Sequence, residues 1–405
     1  MAEFHQNGSI ATLPRLGDCP VEHLEAKLME FGQRRGMSLI LPSLYSELQG
    51  TALPRIVETL EKVPYLEEII IGLDAANESQ FRHAREFFSR LPQHHRILWN
   101  DGPRMQHLLA ELDAEHLAPE RPGKGANVWL CMGYFLASAR GRVLAMHDCD
   151  IESYDREMLA RLFYPVAHPN FAYKFVKGYY ARVADNKLHG RVARLLMTPL
   201  IRALIGVTGP LDFLTYMDSF RYPLSGECAM TAGVAETIRI PNDWGLEVGI
   251  LAELHRSFSA NAICQVDIAG NYEHKHQKLS ADNPNEGLAK MSTDIAKALY
   301  RKLATHGVVL TPETIRTIKA MYLRTALDFI ERFYVMSQIN GLDYDRHAEE
   351  KTVEVFVQSI IHAGEQFLAN PMEVPFIPTW NRVRAAFPDF PERIKAAVEA
   401  DMQMA

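Results

Sequence analysis

The feature that most constrains this chain is a set of short apolar runs without polar alternation. Residues 38–42 (Ser-Leu-Ile-Leu-Pro), 68–73 (Glu-Ile-Ile-Ile-Gly-Leu), 96–99 (Arg-Ile-Leu-Trp) and 143–146 (Val-Leu-Ala-Met) have the length of strands. A strand of this kind is covered on both faces, as in parallel sheets flanked by helices. Helical patterns over residues 54–61, 79–89 and 126–139 separate the runs. This β-α-β-α order predicts an α/β fold with a Rossmann-like, mostly parallel, doubly wound sheet. Before it lies a polar lead-in, residues 1–36, with a helix over 20–35. Beyond Ile151 the alternation breaks. Residues 171–182 predict a strand of mixed character, expected to run antiparallel. Residues 190–204 predict a helix with a basic start, and 220–231 a turn-rich insertion. Asn242-Asp243 is the expected cap of a helix over 244–256, and 262–269 is a further strand. Helices over 286–305, 312–340, 346–369 and 389–402 make a helical C-terminal region. The expected division is 1–36, 37–284 and 285–405.

The run at 143–146 ends in two carboxylates, Asp148 and Asp150. In an extended chain, residues two apart point the same way, so both can face one spot at the strand's carboxyl end. That edge is where open α/β sheets bind ligands. Two hard oxygen donors suit Mg2+ or Mn2+ bridging a diphosphate; the alternative is an acidic cap after a core strand. Lys124, between two glycines at a helix start, suits a phosphate, or is a solvated loop lysine. A dinucleotide site is excluded because no Gly-x-Gly-x-x-Gly follows the first strand. A P-loop is excluded because Gly123-Lys-Gly-Ala lacks the upstream Gly and the Ser or Thr after Lys.

Composition narrows the partners. A chain of 405 residues with 47% hydrophobic content can bury a sizeable core. Its 43 basic and 50 acidic residues are interspersed, net −7, with no basic patch for nucleic acid. The five cysteines (19, 131, 149, 228 and 264) show no Cys-x-x-Cys, which fits a reducing cytoplasm and no disulfide framework. The first residues carry no basic region followed by an apolar run, and no segment reaches the roughly 18 apolar residues that span a membrane.

Six segments, taken in order, resemble the retaining GT-A glycosyltransferases, and among them the glucosyl-3-phosphoglycerate synthase family with its mannosyl relatives. They are Leu41-Pro-Ser-Leu-Tyr-Ser-Glu47, Pro122-Gly-Lys-Gly-Ala126, His147-Asp-Cys-Asp150, Pro223-Leu-Ser-Gly-Glu227, Trp244-Gly-Leu-Glu-Val-Gly249 and Asn271-Tyr-Glu-His-Lys-His276. The resemblance implies glucose transfer from UDP- or GDP-glucose to 3-phosphoglycerate with retention, a precursor step to the compatible solute glucosylglycerate. It implies Mg2+ or Mn2+, no organic cofactor, and a cytoplasmic homodimer. By the same resemblance Asp150 and His274 are the metal ligands. The donor would be held by Pro42, Ser43, Leu44, Ser46, Glu47, Ala75, Lys124, Asp148, Cys149, Asp150 and Glu247. Glu247 would contact the sugar's hydroxyls. Asp150 and Leu224 would complete the catalytic set, Leu224 by shaping the pocket. Gly190, Arg191, Ala193 and His276 would bind the acceptor, Arg191 offering a planar fork for phosphate.

The chain departs from the family pattern at several of these positions. Tyr45 and Ser46 stand for an Asn-Glu pair, Ala75 for a Ser, Ala193 for a Thr and His276 for an Asn. Rival readings are mannosyl transfer from GDP-mannose, transfer to glycerate or another small acid, and an inactive nucleotide-sugar-binding protein. A nucleotidyltransferase would need a Gly-rich, basic loop after the first strand, which residues 41–49 lack.

Overall fold

The non-alternating runs are strands with a separate core on each face. In the computed structural model, which describes residues 6, 8–242, 245–273, 287–371 and 376–404, Ile40, Ile70 and Leu144 point into one buried cluster. Their neighbours Leu39, Leu41, Ile69, Ile71 and Ala145 point into another. Helices cover both faces, so successive central positions of such a strand are apolar whichever way they point.

The strands are β1 (Ala11–Leu13), β2 (Met37–Leu44), β3 (Leu66–Asp74), β4 (His95–Trp99), β5 (Val143–Met146), β6 (Phe175–Tyr180), β7 (Cys228–Thr231) and β8 (Ile263–Ala269). They form one eight-stranded sheet in the order β1-β8-β6-β7-β5-β2-β3-β4. All pairings are parallel except those of β7, which runs antiparallel to both β5 and β6. The expected α/β class holds. Three expectations are corrected. Residues 220–231, read as a turn-rich insertion, supply the reversed strand β7 in the middle of the sheet. The strand in 171–182 is antiparallel only to β7 and parallel to β8. The lead-in contributes β1, an edge strand on β8, as well as its helix, Val21–Gly32. These strands are short or flanked by turns, and their pairing depends on distant partners, as far apart as Ala11 and Cys264.

The C-terminal helices are Gly287–Thr305, Pro312–Ile339, Arg346–Ala369, Trp380–Ala386 and Phe390–Met402. They close over the sheet through specific contacts. Trp380 stacks on Trp129 with ring centroids 4.2 Å apart. The Trp380 indole N–H donates to the Trp129 carbonyl at 3.0 Å, and the Trp129 indole N–H to Pro378 at 2.8 Å. The last helix is tied by ion pairs Arg96–Glu399 (2.9 Å) and Arg104–Asp401 (2.6 Å). All five cysteines are free thiols, four of them buried. Among the described residues no helix is long and apolar enough to cross a membrane.

Candidate active site

The carboxyl ends of β2, β3 and β5 lie side by side, since Ile40 is in register with both Ile70 and Met146, and Leu44 with Asp74. Each strand therefore delivers its following turn to one edge. After β2 the chain enters a short 3-10 helix, Tyr45–Gln49. Ser43 is buried, Leu44 is exposed at the rim, and Pro42, Ser46 and Glu47 lie at or near this turn. The Tyr45 hydroxyl meets His83 Nδ1 at 3.1 Å, so the residue that replaces the family's Asn has a partner of its own. After β3, Ala75 adopts a left-handed conformation (φ 55°). Asp74 accepts from the Asn100 amide at 2.7 Å.

After β5 the extended conformation stops at Met146, and Cys149-Asp150 form a turn. The expectation that Asp148 and Asp150 share a face of an extended strand is corrected, but the turn still keeps them close. Burial, and next the charge of Asp148, raise the Asp150 carboxyl above its ordinary value, while Lys124 pulls the other way. Cys149 turns inward and is buried. His147 is also core: burial lowers its pKa to about 4, and among the described residues neither ring nitrogen has a hydrogen-bond partner.

Lys124 opens the Lys124–Ser138 helix. Its ammonium lies 2.7 Å from Asp148 Oδ1 and 3.5 Å from Glu247 Oε1. Burial alone would lower its pKa; the two carboxylates more than reverse that and hold it above the ordinary value. Glu247 sits in the first turn of Leu246–Ser257. The expected Asn242-Asp243 cap is replaced. The N-cap position is Gly245, with no side-chain cap bond, the Asn242 amide donates to the Arg121 carbonyl at 3.0 Å, and Asp243 lies outside the described residues.

The floor is the 223–227 loop. A Cβ on Gly226 would fall 2.5 Å from Asp148 Oδ2, so a side chain there would have to displace that carboxylate. Leu224 is half-buried against the core. Glu227, fully buried, accepts from the Tyr180 and Tyr272 hydroxyls, each at 2.7 Å, and those two rings stack 3.7 Å apart. Buried Lys177 donates to the Ser225 carbonyl. The pairing was not legible in the sequence: Glu227 and Tyr272 stand in separate motifs 45 residues apart, and Tyr180 and Lys177 belong to none.

The acceptor motif follows a tight hairpin, Val183–Ala184 with Lys187–Leu188, whose Asp185 and Asn186 both have positive φ. Gly190 has φ +78° and Ala193 is buried in a π-helical turn, Val192–Met197. Such turns gather at functional sites. The Arg191 side chain is 38% exposed, and its Nε pairs with Glu349 Oε1 at 3.0 Å. Glu349 also pairs with buried Arg194 at 2.9 Å. The sequence reading missed this carboxylate, which arrives from the Arg346–Ala369 helix over 150 residues later. His274 and His276 lie outside the described residues. The chain just before them is fixed beside the acidic turn, where Glu152 N–H donates to the Glu273 carbonyl at 2.8 Å.

The chemistry of the donors fits a divalent cation. Asp150, with Asp148 beside it, offers hard oxygens whose mutual repulsion a cation would relieve. Among the described residues no three metal-binding side chains converge, so further ligands would have to come from a bound diphosphate or from the segment that carries His274.

An α/β sheet with one reversed strand and an acidic turn at its carboxyl edge is the layout expected of a GT-A glycosyltransferase. A crystal structure of glucosyl-3-phosphoglycerate synthase from Mycobacterium tuberculosis, in complex with Mn2+, UDP-glucose and phosphoglyceric acid, matches with a TM-score of 0.53. It covers 73% of this chain and 88% of that one at 22% identity, a likeness of fold. No family model matches. Glucosyl-3-phosphoglycerate synthase of Persephonella marina is 47% identical over 401 residues, 99% of each chain. That of Methanococcoides burtonii is 37% identical over 393 residues, 94% of each. The chain belongs to the glucosyl-3-phosphoglycerate synthase family.

Proposed function

We propose that this chain is a metal-dependent, retaining glucosyltransferase that moves glucose from UDP-glucose to 3-phosphoglycerate in the cytoplasm. The observation that carries the site reading is the convergence of Lys124, Asp148, Asp150 and Glu247 at one sheet edge. Lys124, released from Asp148 and Glu247 when a diphosphate enters, would hold a phosphate with the helix N-terminus behind it. Glu247 would then turn to the sugar hydroxyls. Ser43, Leu44, Ser46, Glu47 and Ala75 line the ends of β2 and β3, where the base and ribose would lie. A Mg2+ or Mn2+ ion at Asp150, with His274 as the second protein ligand, would offset charge on the departing diphosphate. Arg191, in the Gly190–Ala193 motif, would take the acceptor's phosphate, and His276, at the position of a family Asn, would also reach the acceptor. The acceptor hydroxyl would attack from the face of the leaving group, whose oxygens help take its proton. Residues 37–284 would form the catalytic domain, flanked by 1–36 and by the helical region 285–405.

The test is nucleoside diphosphate release with Mn2+ or Mg2+, over a grid of UDP-glucose, GDP-glucose and GDP-mannose against 3-phosphoglycerate, glycerate and no acceptor. Release that requires UDP-glucose and 3-phosphoglycerate together is the expected result. Release with GDP-mannose or with glycerate instead would move the substrate, and silence across the grid with donor bound would leave a binding protein.

A further inference from the structure

We propose that Arg182 is the second cation of the acceptor site and binds the carboxylate of 3-phosphoglycerate. This rests on the reading above, which places the acceptor's phosphate on Arg191 and leaves its other anionic end without a partner. The hairpin 183–188 folds Arg182 back onto the motif: His189 N–H donates to the Arg182 carbonyl at 2.8 Å. A Cβ on Gly190 would lie 3.6 Å from Arg182 Cδ and 3.3 Å from the Tyr222 hydroxyl. Gly190 therefore lies against the Arg182 side chain.

The side chain is under-used. Among the described residues its Nη1 reaches only the Tyr222 hydroxyl, at 3.4 Å, and its buried Nε has no hydrogen-bond partner. Among the described residues no carboxylate pairs with it, whereas Arg191 and Arg194 share Glu349. A buried donor left unmade is costly, more so for a charged group, and a planar anion that meets it recovers that cost. Nε with its neighbouring terminal nitrogen is an edge that suits a carboxylate. Arg182 is linked to the donor side through Tyr222 and its neighbours. Tyr180, whose ring lies 5.0 Å from that of Tyr222, bonds Glu227, and Glu227 follows Gly226 beneath Asp148. A three-carbon acid held at one end by Arg191 and at the other by Arg182 would present its hydroxyl between two fixed points.

The experiment compares 3-phosphoglycerate with glycerol 3-phosphate, which keeps the phosphate and replaces the carboxylate by a hydroxymethyl group. Wild type, Arg182→Gln, Arg182→Lys and Arg191→Ala are assayed by UDP release from UDP-glucose with Mn2+, and acceptor binding is measured by calorimetry. Wild type is expected to favour 3-phosphoglycerate. Arg182→Gln is expected to lower kcat/KM for 3-phosphoglycerate about tenfold or more, the loss of one charge-assisted contact. Its use of glycerol 3-phosphate should stay as in wild type, which also shows that the variant is folded. Arg182→Lys should fall between the two, and Arg191→Ala should weaken both acceptors alike. Equal losses for both acceptors in Arg182→Gln, no loss for either, or a wild type indifferent to the carboxylate would overturn the assignment while leaving the transferase reading intact. If wild type binds 3-phosphoglycerate without UDP release, the transferase reading fails and the calorimetric ratio still decides Arg182. If it binds neither acceptor in the presence of donor, both fall.

Discussion

At the residue scale, the candidate site is a balance of charges at close quarters. One ammonium faces Asp148 and Glu247, and a third carboxylate, Asp150, is held above its ordinary value by burial and by Asp148. Asp150→Ala removes the group with the least favourable environment. It is expected to abolish metal-dependent UDP release while the melting temperature stays the same or rises; wild-type turnover at saturating Mn2+ would rule out Asp150 as a ligand. Arg191→Ala is expected to raise the KM for 3-phosphoglycerate by the equivalent of about 1.5–3 kcal/mol, the worth of a charge-assisted contact, with the KM for UDP-glucose unmoved. An unchanged acceptor KM would tell against its role.

At the scale of elements, the acceptor motif is held from two sides of the chain. Its own hairpin sets Gly190, and the Arg346–Ala369 helix reaches it with Glu349. The corner before that helix adds a backbone bond, Asp343 N–H to the Asn186 carbonyl at 2.8 Å. Arg194 is the more dependent of the two arginines: it is buried, its Nε donates to the His189 carbonyl at 2.8 Å, and its guanidinium lies 4.8 Å from the centre of the Phe333 ring. Glu349→Ala leaves this cation buried without its carboxylate. Breaking such a pair costs about 3–5 kcal/mol, so chemical denaturation should show a loss of that order, whereas Glu349→Gln, which keeps an acceptor oxygen, should lose less. Equal stability of all three proteins would mean that solvent reaches Arg194.

At the scale of the molecule, stability and function sit at opposite edges of the sheet. Near the amino end of β3, Glu68 is fully buried, accepts from the Ser138 hydroxyl at 2.8 Å and lies 3.7 Å from His94. Burial raises its pKa from 4.5 to about 6. Because the folded value is the higher one, the stability tied to its proton is complete below about pH 4.5 and is lost as pH rises through about 6. Glu68→Gln should therefore be the more stable protein at pH 7.5, by up to about 2 kcal/mol, with the gap closing toward pH 4.5. A gap that does not change with pH would show that Glu68 titrates normally. The homodimer implied by the family resemblance is checked by sedimentation equilibrium, where a single species of one chain would set it aside.

What the sequence determined by itself is what local chemistry can encode. Uninterrupted apolar runs such as Glu68–Leu73 can be stable only between two layers of helices, so the α/β class and most elements were readable before any contact was known. Motif order likewise marked Lys124, Asp148, Asp150, Glu247 and Arg191, because phosphate, metal and sugar demand particular side chains wherever the backbone leads. What only the tertiary structure decided is pairing between distant segments. The reversal of β7 was hidden in a stretch full of turn residues, since a short strand takes its direction from β5 and β6 rather than from its own composition. Glu349 beside Arg191, Tyr180 and Tyr272 on Glu227, and Arg182 beside Gly190 are meetings of residues that share no periodicity or motif. A charge does not record in sequence which partner will neutralise it; that is settled when the chain closes and desolvation makes the unpaired arrangement costly.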